Sequence, residues 1–508
     1  MSGFPVLTLL TVLPLVGAAI ALWSGKHARG VAIITTGACV ALALFIWTRV
    51  PANGAIGLVE LHPGWVPSLG IEYHLGVDGL GALMLVLSAI VTLMSVDAAH
   101  RVHHQPGLYF GLVLVLESGL FGSFTALNFF HWFLFWELSL IPAFFLIKLW
   151  GGKKRGPAAT QFFVYTMAGS VALLVAFLAV FVATRSMDFP HLTLLASTGE
   201  LEEMVTARLG PVMMWLAVGV LAGFAVKVPM FPFHTWLPAA YAEAPTPVTM
   251  LLTGAMSKMG VYGLLRIAVP LFGHQIAQMR TPLLVLAVAT VVMGAWAAAA
   301  QKDLKRVFAY SSVNHLGYCL LGIFALAVPY SLGDAGQLAS QAAALNGVIL
   351  QMFNHGVTAA ALFWFVALLQ QRTGGHRGID DFGGLRKPAP VFAGLMGIAL
   401  FSSLGLPGLN GFVGEFLIFR GVFSLAWVAS TVSILGLLVT AAVILTVIQK
   451  VFSGPVPEHC KGFPDLHTGE RMALAPVIGL MLLVGLLPQL IVNSVNPTVQ
   501  NLLAHWRF

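Results

Sequence analysis

Long uncharged apolar runs recur along this chain and constrain its fold more than any other feature. Residues 160–184 and 281–300, for example, contain no charged side chain. A helix of about 20 apolar residues spans a bilayer, and only helices or closed barrels satisfy their backbone hydrogen bonds inside hydrocarbon. Charged residues make up 9% of the chain, whereas a soluble domain has roughly 25%. The predicted fold class is therefore all-α, in a polytopic membrane protein.

Fourteen runs are long enough to be membrane spans. The first has the length of a signal peptide but lacks a positively charged start, and Lys26 and Arg29 follow it instead, so we predict a retained span. The predicted spans cover residues 4–23, 30–48, 78–98, 107–127, 129–150, 160–184, 211–233, 245–270, 281–300, 306–328, 340–370, 389–421, 422–452 and 472–494.

Loop charges predict the orientation of these spans. Basic residues collect in the loops after spans 1, 5, 9 and 11, as at 153–155, whereas the loop after span 6 carries Glu200, Glu202 and Glu203. By the positive-inside rule the odd-numbered loops are cytoplasmic and both termini lie outside. Because the basic residues serve topology, the net charge of +7 does not indicate nucleic-acid binding.

Two segments are not predicted to span the membrane. Residues 56–78 alternate in short apolar runs and indicate an external β-hairpin, and the tail 495–508 has the pattern of an interfacial amphipathic helix. Three cysteines are too few and too scattered for a disulfide framework or a cysteine metal site; they are Cys39, Cys319 and Cys460.

Four lone ionisable residues lie far from the ends of their apolar runs: Glu137, Lys227, Lys258 and Glu415. A charge there costs at least ~2.5–3.5 kcal/mol, so it persists where it is paired, solvated or functional. The presence of both signs predicts a chain of titratable groups. We expect Glu137 to pair with Lys227, and a change in that pairing alters the proton affinity of the lysine. The alternatives are a fixed ion pair that serves packing and, for Lys258, a side chain that reaches the interface.

Two spans contain helix breakers in mid-run. In span 7, Pro229 and Pro232 follow Lys227. In span 12, the glycine- and proline-rich segment 405–411 precedes Glu415. Proline removes a backbone hydrogen bond, and an unwound segment at membrane depth survives only where protein or water covers it. Interrupted helices in matching places of two halves indicate an ion path, although ordinary proline kinks would leave the same pattern.

The spacing of the two breaks predicts an internal repeat. The broken spans lie five apart, so spans 4–8 and 9–13 would form two five-helix units. An odd number of helices per unit forces opposite orientations, and the repeats are therefore predicted to be inverted. The resulting divisions are 1–106 with the external hairpin, 107–270, 281–452, and 453–508 with the last helix and the amphipathic tail.

Histidines in spans 10 and 11 extend the series of titratable groups. His315 and His355 lie inside apolar runs, and histidine titrates near neutral pH and can relay protons, although a lone buried histidine is more often a hydrogen-bonded core residue. Glu117 is another intramembrane carboxylate, His131 and His234 are weaker candidates, and Glu243 fits an entrance or capping position; these four complete the candidates.

Cofactor motifs are missing from the sequence. No C-x-x-C-H, H-E-x-x-H, G-x-x-x-x-G-K-[ST] or dinucleotide-binding pattern occurs. We therefore expect no cofactor and no metal in this chain, and a driving force supplied by an ion gradient or a partner protein.

Several motifs together give the chain a resemblance to a known family. FWELSLIPAFFLIKLWGG, TQFFVYTMAGS, KVPMFPFHTWLPAAYAEAPTPV, SKMGVYGLLR, DLKRVFAYSSVNHLGY, FNHGVTAAALF and LPGLNGFVGEFLIF resemble the antiporter-like subunits of proton-pumping NADH:quinone oxidoreductase, respiratory complex I, with the M type nearest. The resemblance covers nearly the whole chain. It implies fourteen helices, inverted five-helix repeats, discontinuous helices 7 and 12, and proton movement coupled to electron transfer in other subunits.

The resemblance also implies roles for individual residues. Glu137 and Lys227 match the family's glutamate–lysine pair, and Lys258 matches its central lysine. His315 and His355 match histidines of the proton relay, and Glu415 matches the acid that ends it. The implied partners are the other membrane subunits of the complex, protons and the lipid bilayer, and the implied location is a bacterial inner membrane.

Departures from the family pattern and related families leave alternatives open. Ala239 and Tyr241 stand where Asp and His are frequent, and Gln161 stands where Lys is frequent, which affects the details of proton entry. Multi-subunit cation/proton antiporters and membrane-bound hydrogenases share this architecture, with another ion or electron donor. A quinone- or haem-binding oxidoreductase that acts alone, or a structural membrane anchor, are further alternatives; the anchor leaves the intramembrane acids and bases unexplained.

Overall fold

Helices that are long and apolar form most of the structure. The computed structural model describes residues 4–67, 71–328, 335–506 and 508. The helices of the first half are α1 Val6–Trp23, α2 Ala28–Trp47, α3 Gly79–Ala98, α4 Pro106–Thr125, α5 Phe129–Trp150, α6 Arg155–Thr184, α7 Phe189–Thr198, α8 Glu200–Leu209, α9 Met213–Lys227, α10 Trp236–Glu243, α11 Thr246–Leu251, α12 Lys258–Gly263 and α13 Val269–Gln278. Those of the second half are α14 Arg280–Ala299, α15 Leu304–Ala325, α16 Ala335–Arg372, α17 Pro390–Leu404, α18 Asn410–Leu425, α19 Trp427–Phe452, α20 Thr468–Leu486 and α21 Gln489–His505.

The number of membrane crossings agrees with the all-α prediction. Within the described ranges, 12 helices are long and apolar enough to cross a membrane without interruption, with α11–α13 counted as one. The two predicted spans that this count leaves out are 211–233, which contains α9, and 389–421, which contains α17 and the first part of α18; helix breakers interrupt both. The all-α prediction is confirmed, and the described residues hold 12 candidate crossings, or up to 13 when the bent pair α8 and α9 is counted as one.

Both predicted helix breaks are present. α9 ends at Lys227 and α10 begins at Trp236, with Pro229 and Pro232 in the segment between them. α17 ends at Leu404, and the connection to α18 uses positive φ angles at Gly405 (+82°) and Gly408 (+92°). L-residues with a Cβ rarely adopt that region, so glycine allows the chain to turn here at membrane depth.

A further irregularity surrounds Lys258 and was not predicted. Two π-helical turns, Leu252–Met256 and Leu264–Ala268, lie on either side of α12, which begins at Lys258. Residues 246–273 of this stretch are all buried inside the protein. Because π turns rotate the helix face that follows them and are frequent at functional positions, they set the direction of the Lys258 side chain.

The predicted hairpin is confirmed by two antiparallel strands, β1 Gly57–Val66 and β2 Ile71–Val77. Residues 68–70 of the predicted segment lie outside the described residues. The Glu60 carboxylate accepts hydrogen bonds from the Leu7 (2.7 Å) and Thr8 (3.1 Å) amides at the start of α1. The hairpin thus places a negative charge at the N-terminus of α1, where the helix dipole and the free backbone amides favour it.

The last helix begins earlier than the sequence indicates. The predicted tail starts at residue 495, whereas α21 begins at Gln489; residue 507 lies outside the described residues. Val495, Val499 and Leu502 are on its buried face, and α21 packs against α3 and α16. The helix is therefore amphipathic and is also attached to the protein core.

The repeat boundaries and the membrane orientation stay predictions.

Candidate functional site

A continuous series of polar side chains crosses the buried interior between α12 and α18. Its members are Lys258 on α12, His355 on α16, His315 on α15 and Glu415 on α18, which we call the polar row. Each of these residues is at most 6% exposed. The helices that carry the first three are buried almost throughout, so the row lies inside protein rather than against lipid.

Lys258 is held by three polar atoms. Its Nζ lies 2.7 Å from His355 Nδ1, 2.5 Å from the Thr253 carbonyl oxygen and 3.4 Å from Ser257 Oγ. Thr253 belongs to the π turn that precedes α12, so that turn brings a backbone acceptor to the lysine. An ammonium only donates hydrogen bonds. His355 Nδ1 is therefore the acceptor when Lys258 is charged, and this contact is a route for a proton between the two side chains.

His315 and Glu415 form the other end of the polar row. His315 Nδ1 lies 3.0 Å from Glu415 Oε1. Gln351 Nε2 lies 3.3 Å from the same histidine nitrogen and 3.4 Å from Glu415 Oε1, and Ser403 Oγ lies 3.4 Å from His315 Nε2. The histidine can therefore exchange its hydrogen-bond partners without leaving a polar environment.

The two histidines are neighbours without a direct hydrogen bond between their rings. The ring centroids of His315 and His355 are 5.2 Å apart and the rings are tilted by 40°. A cavity of about 20 Å³ lies beside them and is also lined by Gln351, Asn354 and Glu415. One water needs about 10–15 Å³ and two or more polar partners, so this cavity has room for about one. A water there would join the two halves of the polar row.

Glu137 and Lys227 are not brought together as a salt bridge, although both are among the described residues. Lys227 is 3% exposed, and its Nζ lies 4.7 Å above the centroid of the Trp136 ring. Glu137 Oε1 is buried and finds no hydrogen-bond partner within the described part of the chain. Lys227 is also the last residue of α9, where the helix dipole favours a positive charge. The ammonium is therefore stabilised by an aromatic face and a helix end.

The end of α9 touches α12 close to the polar row. A Cβ built on Gly260 would lie 2.6 Å from Val228 Cγ2 and 3.2 Å from Lys227 Cβ. Gly260 follows Lys258 by two positions. The absence of a side chain at Gly260 thus allows the break in span 7 and the start of the polar row to lie against each other.

The weaker candidates have separate environments. Glu117 is fully buried, and neither carboxylate oxygen has a partner within the described chain. His131 packs against aromatic rings, including Tyr73 at 4.8 Å, and His234 stacks on Phe231.

Glu243 lies at the end of α10 rather than in the polar row. It is 3.7 Å from the Arg377 guanidinium and accepts from the Lys154 amide at 2.9 Å. Since it connects loops at one end of the bundle, its contacts fit the capping position expected from the sequence.

Two of the departures from the family pattern make local contacts. The Tyr241 hydroxyl donates to the Leu252 carbonyl at 2.9 Å, the first residue of the π turn before Lys258. Gln161 Nε2 donates to the Thr235 carbonyl at 3.4 Å, within the break of span 7. Both side chains therefore support irregular backbone next to the site.

The sequence did not single out Gln351, Thr253 and Ser403. Gln351 lies four positions before His355 on α16 and so on the same helix face, a spacing that was available as a signal. Thr253 acts through its backbone carbonyl, for which a sequence has no signal.

A possible cation-binding group lies away from the polar row. Within the described ranges, Glu72, His74 and Asp188 place one ligand atom each within 4.8 Å of one another. His74 Nδ1 lies 2.5 Å from Asp188 Oδ2, and the other Asp188 oxygen accepts from the His191 amide at the start of α7. These contacts already account for both residues as links between the hairpin and α7.

The fold and site together define a class: a polytopic membrane subunit with discontinuous helices and a buried series of lysine, histidine and glutamate. A family model described as NADH:quinone oxidoreductase/Mrp antiporter, TM, matches residues 126–444. The chain belongs to this family of NADH:quinone oxidoreductase and Mrp antiporter membrane subunits.

Individual relatives support this assignment. The chain is 35% identical to NADH-quinone oxidoreductase subunit M of Rhodobacter capsulatus, over 98% of this chain and 96% of that protein. A chain of respiratory complex I from Thermus thermophilus has a TM-score of 0.86 and 28% identity, covering 98% and 99% of the two chains. A chain of the Mrp complex from a Dietzia species shares the fold, with a TM-score of 0.83 and 21% identity over 99% and 98%.

Proposed function

We propose that this chain is the M-type, proton-translocating membrane subunit of an NADH:quinone oxidoreductase. The observation that carries the proposal is the polar row, in which Lys258, His355, His315 and Glu415 follow one another through the buried interior. Buried ionisable groups in a membrane protein normally mark an ion path, because each is costly in hydrocarbon. The similarity to subunit M along nearly the whole chain supplies the complex in which such a path would operate.

The proposed path begins at Glu137 and Lys227. An approach of the Glu137 carboxylate favours the charged form of Lys227, and its withdrawal favours release of the proton toward Lys258. The contact between the end of α9 and Gly260 on α12 places the helices that carry Lys227 and Lys258 next to each other. His355 takes the proton from Lys258. A water in the cavity beside the histidines carries it to His315, which passes it on to Glu415.

In this proposal the chain moves protons and carries no redox centre. Electron transfer from NADH to quinone takes place in other subunits, and a conformational or electrostatic change in a neighbouring subunit shifts Glu137. The partners are therefore the adjacent antiporter-like membrane subunits, and the location is a bacterial inner membrane. The chain belongs to an enzyme as one of its subunits.

A second candidate is a subunit of a multi-subunit cation/proton antiporter. The family description includes Mrp antiporters, and an Mrp chain has the same fold. Sequence identity favours the first candidate, because the chain is 35% identical to the subunit M relative and 21% identical to the Mrp chain. The two candidates differ in the driving force, which is electron transfer from NADH in one and a cation gradient in the other.

The test is NADH-driven proton uptake by inverted membrane vesicles that carry Lys258→Met in this chain. Lys148→Met is the matched control, because Lys148 is exposed on α5 and stacks on Phe144. We expect uptake per assembled complex to fall several-fold in the first variant and to stay unchanged in the second. Unchanged uptake in Lys258→Met with normal assembly would overturn the proton path, and uptake driven by a sodium gradient without NADH would favour the antiporter.

A further inference from the structure

A second polar cavity lies on the hairpin side of the bundle, apart from the polar row. Its volume is about 230 Å³, and it is bordered by the starts of α3 and α7, by the π turn Leu264–Ala268, by α13 and by the end of α21. Its lining includes the polar or aromatic residues Asp78, Arg266, Thr498, Asn501, His505 and Trp506. A single water needs only about 10–15 Å³, so the cavity has room for a larger occupant.

The Asp78 carboxylate, which lines this cavity, is already satisfied by the protein. Asp78 Oδ2 accepts from Arg266 Nη2 at 2.5 Å, and Asp78 Oδ1 accepts from the Gly81 amide at 3.0 Å. Asp78 is 2% exposed and Arg266 is 9% exposed, so this is a buried ion pair with balanced charge. The acid therefore leaves little acceptor capacity for an occupant.

In contrast, several hydrogen-bond donors at this cavity have no partner within the described chain. Arg266 Nε and Trp506 Nε1 are buried and have no hydrogen-bond partner within the described chain, and Trp506 is 5% exposed. Thr498 Oγ1 accepts from the Gly79 amide at 3.0 Å, which leaves its hydroxyl proton free to donate. Each unpaired buried donor costs about 1–3 kcal/mol. A cavity with spare donors and a satisfied acid fits an occupant that only accepts, which is the property of an oxyanion.

The apolar walls and the balanced charge of the cavity limit which oxyanions fit. Apolar side chains of Leu127, Phe189 and Leu502 face the same space. Because the Asp78–Arg266 pair has no net charge, a singly charged group costs less to bury than a doubly charged one. Both points favour a phosphodiester with an apolar attachment over a free dianion.

We propose that this cavity binds a phosphate-class oxyanion through Arg266 Nε, Trp506 Nε1 and the Thr498 hydroxyl. The source of the phosphate is either the headgroup of a phospholipid or free phosphate, and the apolar walls favour the lipid. The bound group ties the end of α21, with Thr498 and Trp506, to the π turn Leu264–Ala268 that carries Arg266. This proposal is independent of the proton path.

The experiment uses the assembled complex in vesicles of phosphatidylcholine with a small fraction of phosphatidylglycerol that carries a photoreactive headgroup. After illumination, lipid-labelled peptides of this chain are mapped by mass spectrometry. We expect label on the segments 189–193 and 498–506. Trp506→Phe keeps the ring and removes the donor, so we expect roughly a tenfold loss of label, the effect of one lost hydrogen bond to a charged group. Trp215→Phe is the matched control, since Trp215 is 74% exposed on α9.

A second arm identifies the source of the phosphate. Inorganic phosphate is added to the detergent-purified complex, and the temperature of thermal inactivation is measured in the wild type and in Trp506→Phe. Protection by phosphate that is lost in the variant identifies free phosphate, whereas lipid label that persists in excess phosphate identifies the headgroup. Arg266→Lys keeps the charge beside Asp78 and removes Nε, and it replaces Trp506→Phe if that variant does not assemble. A cavity that takes no label and gives no phosphate protection would overturn the proposal, as would label that is equal in all variants.

Discussion

Lys227 and Lys258 both bury an ammonium group, but different surroundings stabilise the two charges. Lys227 has an aromatic face at 4.7 Å and a helix end, and its expected partner Glu137 forms no salt bridge with it although both residues are described. Lys258 has three polar atoms within 3.4 Å, one of them on a histidine. Within the described part of the chain the first lysine forms no salt bridge, whereas the second begins a series of neighbouring titratable groups.

Under the proposed function this difference assigns different tasks to the two regions, which we call the gate (Glu137 and Lys227) and the relay (the polar row). A lysine whose acid partner is nearby but unbonded changes its proton affinity when that distance changes, as a gate requires. Closely spaced titratable groups, with a water-sized cavity where their hydrogen bonds are interrupted between His315 and His355, conduct a proton without large movement, as a relay requires. The relay also contains spare partners, Gln351 and Ser403, and room for about one water. We infer that the gate tolerates substitution less well than the relay.

The largest effect is therefore expected for Glu137→Gln. The variant keeps the size of the side chain and its capacity to form hydrogen bonds but removes the charge that acts on Lys227, and no described carboxylate forms a salt bridge with that lysine. We expect NADH-driven proton uptake per assembled complex to fall at least about tenfold, since a positioned proton-transfer group contributes roughly 10²–10⁴-fold. Glu458→Gln, in an exposed loop, is the control. Near-normal uptake would make Glu137 a packing residue and remove the distinction between gate and relay.

A smaller, partial effect is expected for His355→Leu in the relay. The leucine breaks the 2.7 Å contact with Lys258, but Gln351 and the adjacent cavity leave space for water to bridge part of the gap. We expect uptake to fall several-fold and to remain measurable, in comparison with His274→Leu at an exposed position. A complete loss, equal to that of Glu137→Gln, would show that the relay has no spare route and that the two regions are equally sensitive.

The sequence predicted the parts of this comparison that depend on local signals. Apolar run length gave the crossings, and Pro229 and Gly405 marked the two breaks, because breakers act on their own helix. Lone polar residues in apolar runs identified the members of the polar row. The contacts between helices could not be predicted from the sequence, because they depend on how separate helices pack. Examples are the π turn that brings the Thr253 carbonyl to Lys258, the Gln351 bridge, and the lack of a Glu137–Lys227 salt bridge.

The contact between the two regions is tested by Gly260→Ala. The new Cβ would lie 2.6 Å from Val228 Cγ2 and 3.1 Å from the Val228 backbone nitrogen, so α9 and α12 must move apart. Overpacking of this kind costs about 1–3 kcal/mol. We expect a lower temperature of thermal inactivation together with reduced proton uptake per complex. Gly37→Ala on α2, where a Cβ meets nothing within 4 Å, is the matched control. Normal uptake in a destabilised Gly260→Ala complex would show that gate and relay do not communicate through this contact.

The smallest effect on proton uptake is expected for Asp465→Asn, which separates stability from transfer. Burial alone would raise the pKa of Asp465, but hydrogen bonds from the Phe392, Val391 and Leu466 amides hold the pKa below its usual value. These contacts fix the loop before α20 to the start of α17, outside both regions.

The pH dependence of this last effect follows from the sign of the pKa shift. A depressed carboxyl pKa stabilises the folded state above the ordinary aspartate value of about 4, and the contribution is lost as the pH falls through the lowered pKa. The variant should therefore inactivate at a lower temperature than the wild type near neutral pH, by the equivalent of about 1 kcal/mol for a lost helix cap, and the difference should shrink below about pH 4. Proton uptake per assembled complex should stay normal. If uptake fell as far as it does in His355→Leu, loss of stability alone would explain the relay variants, and the comparison between gate and relay would lose its support.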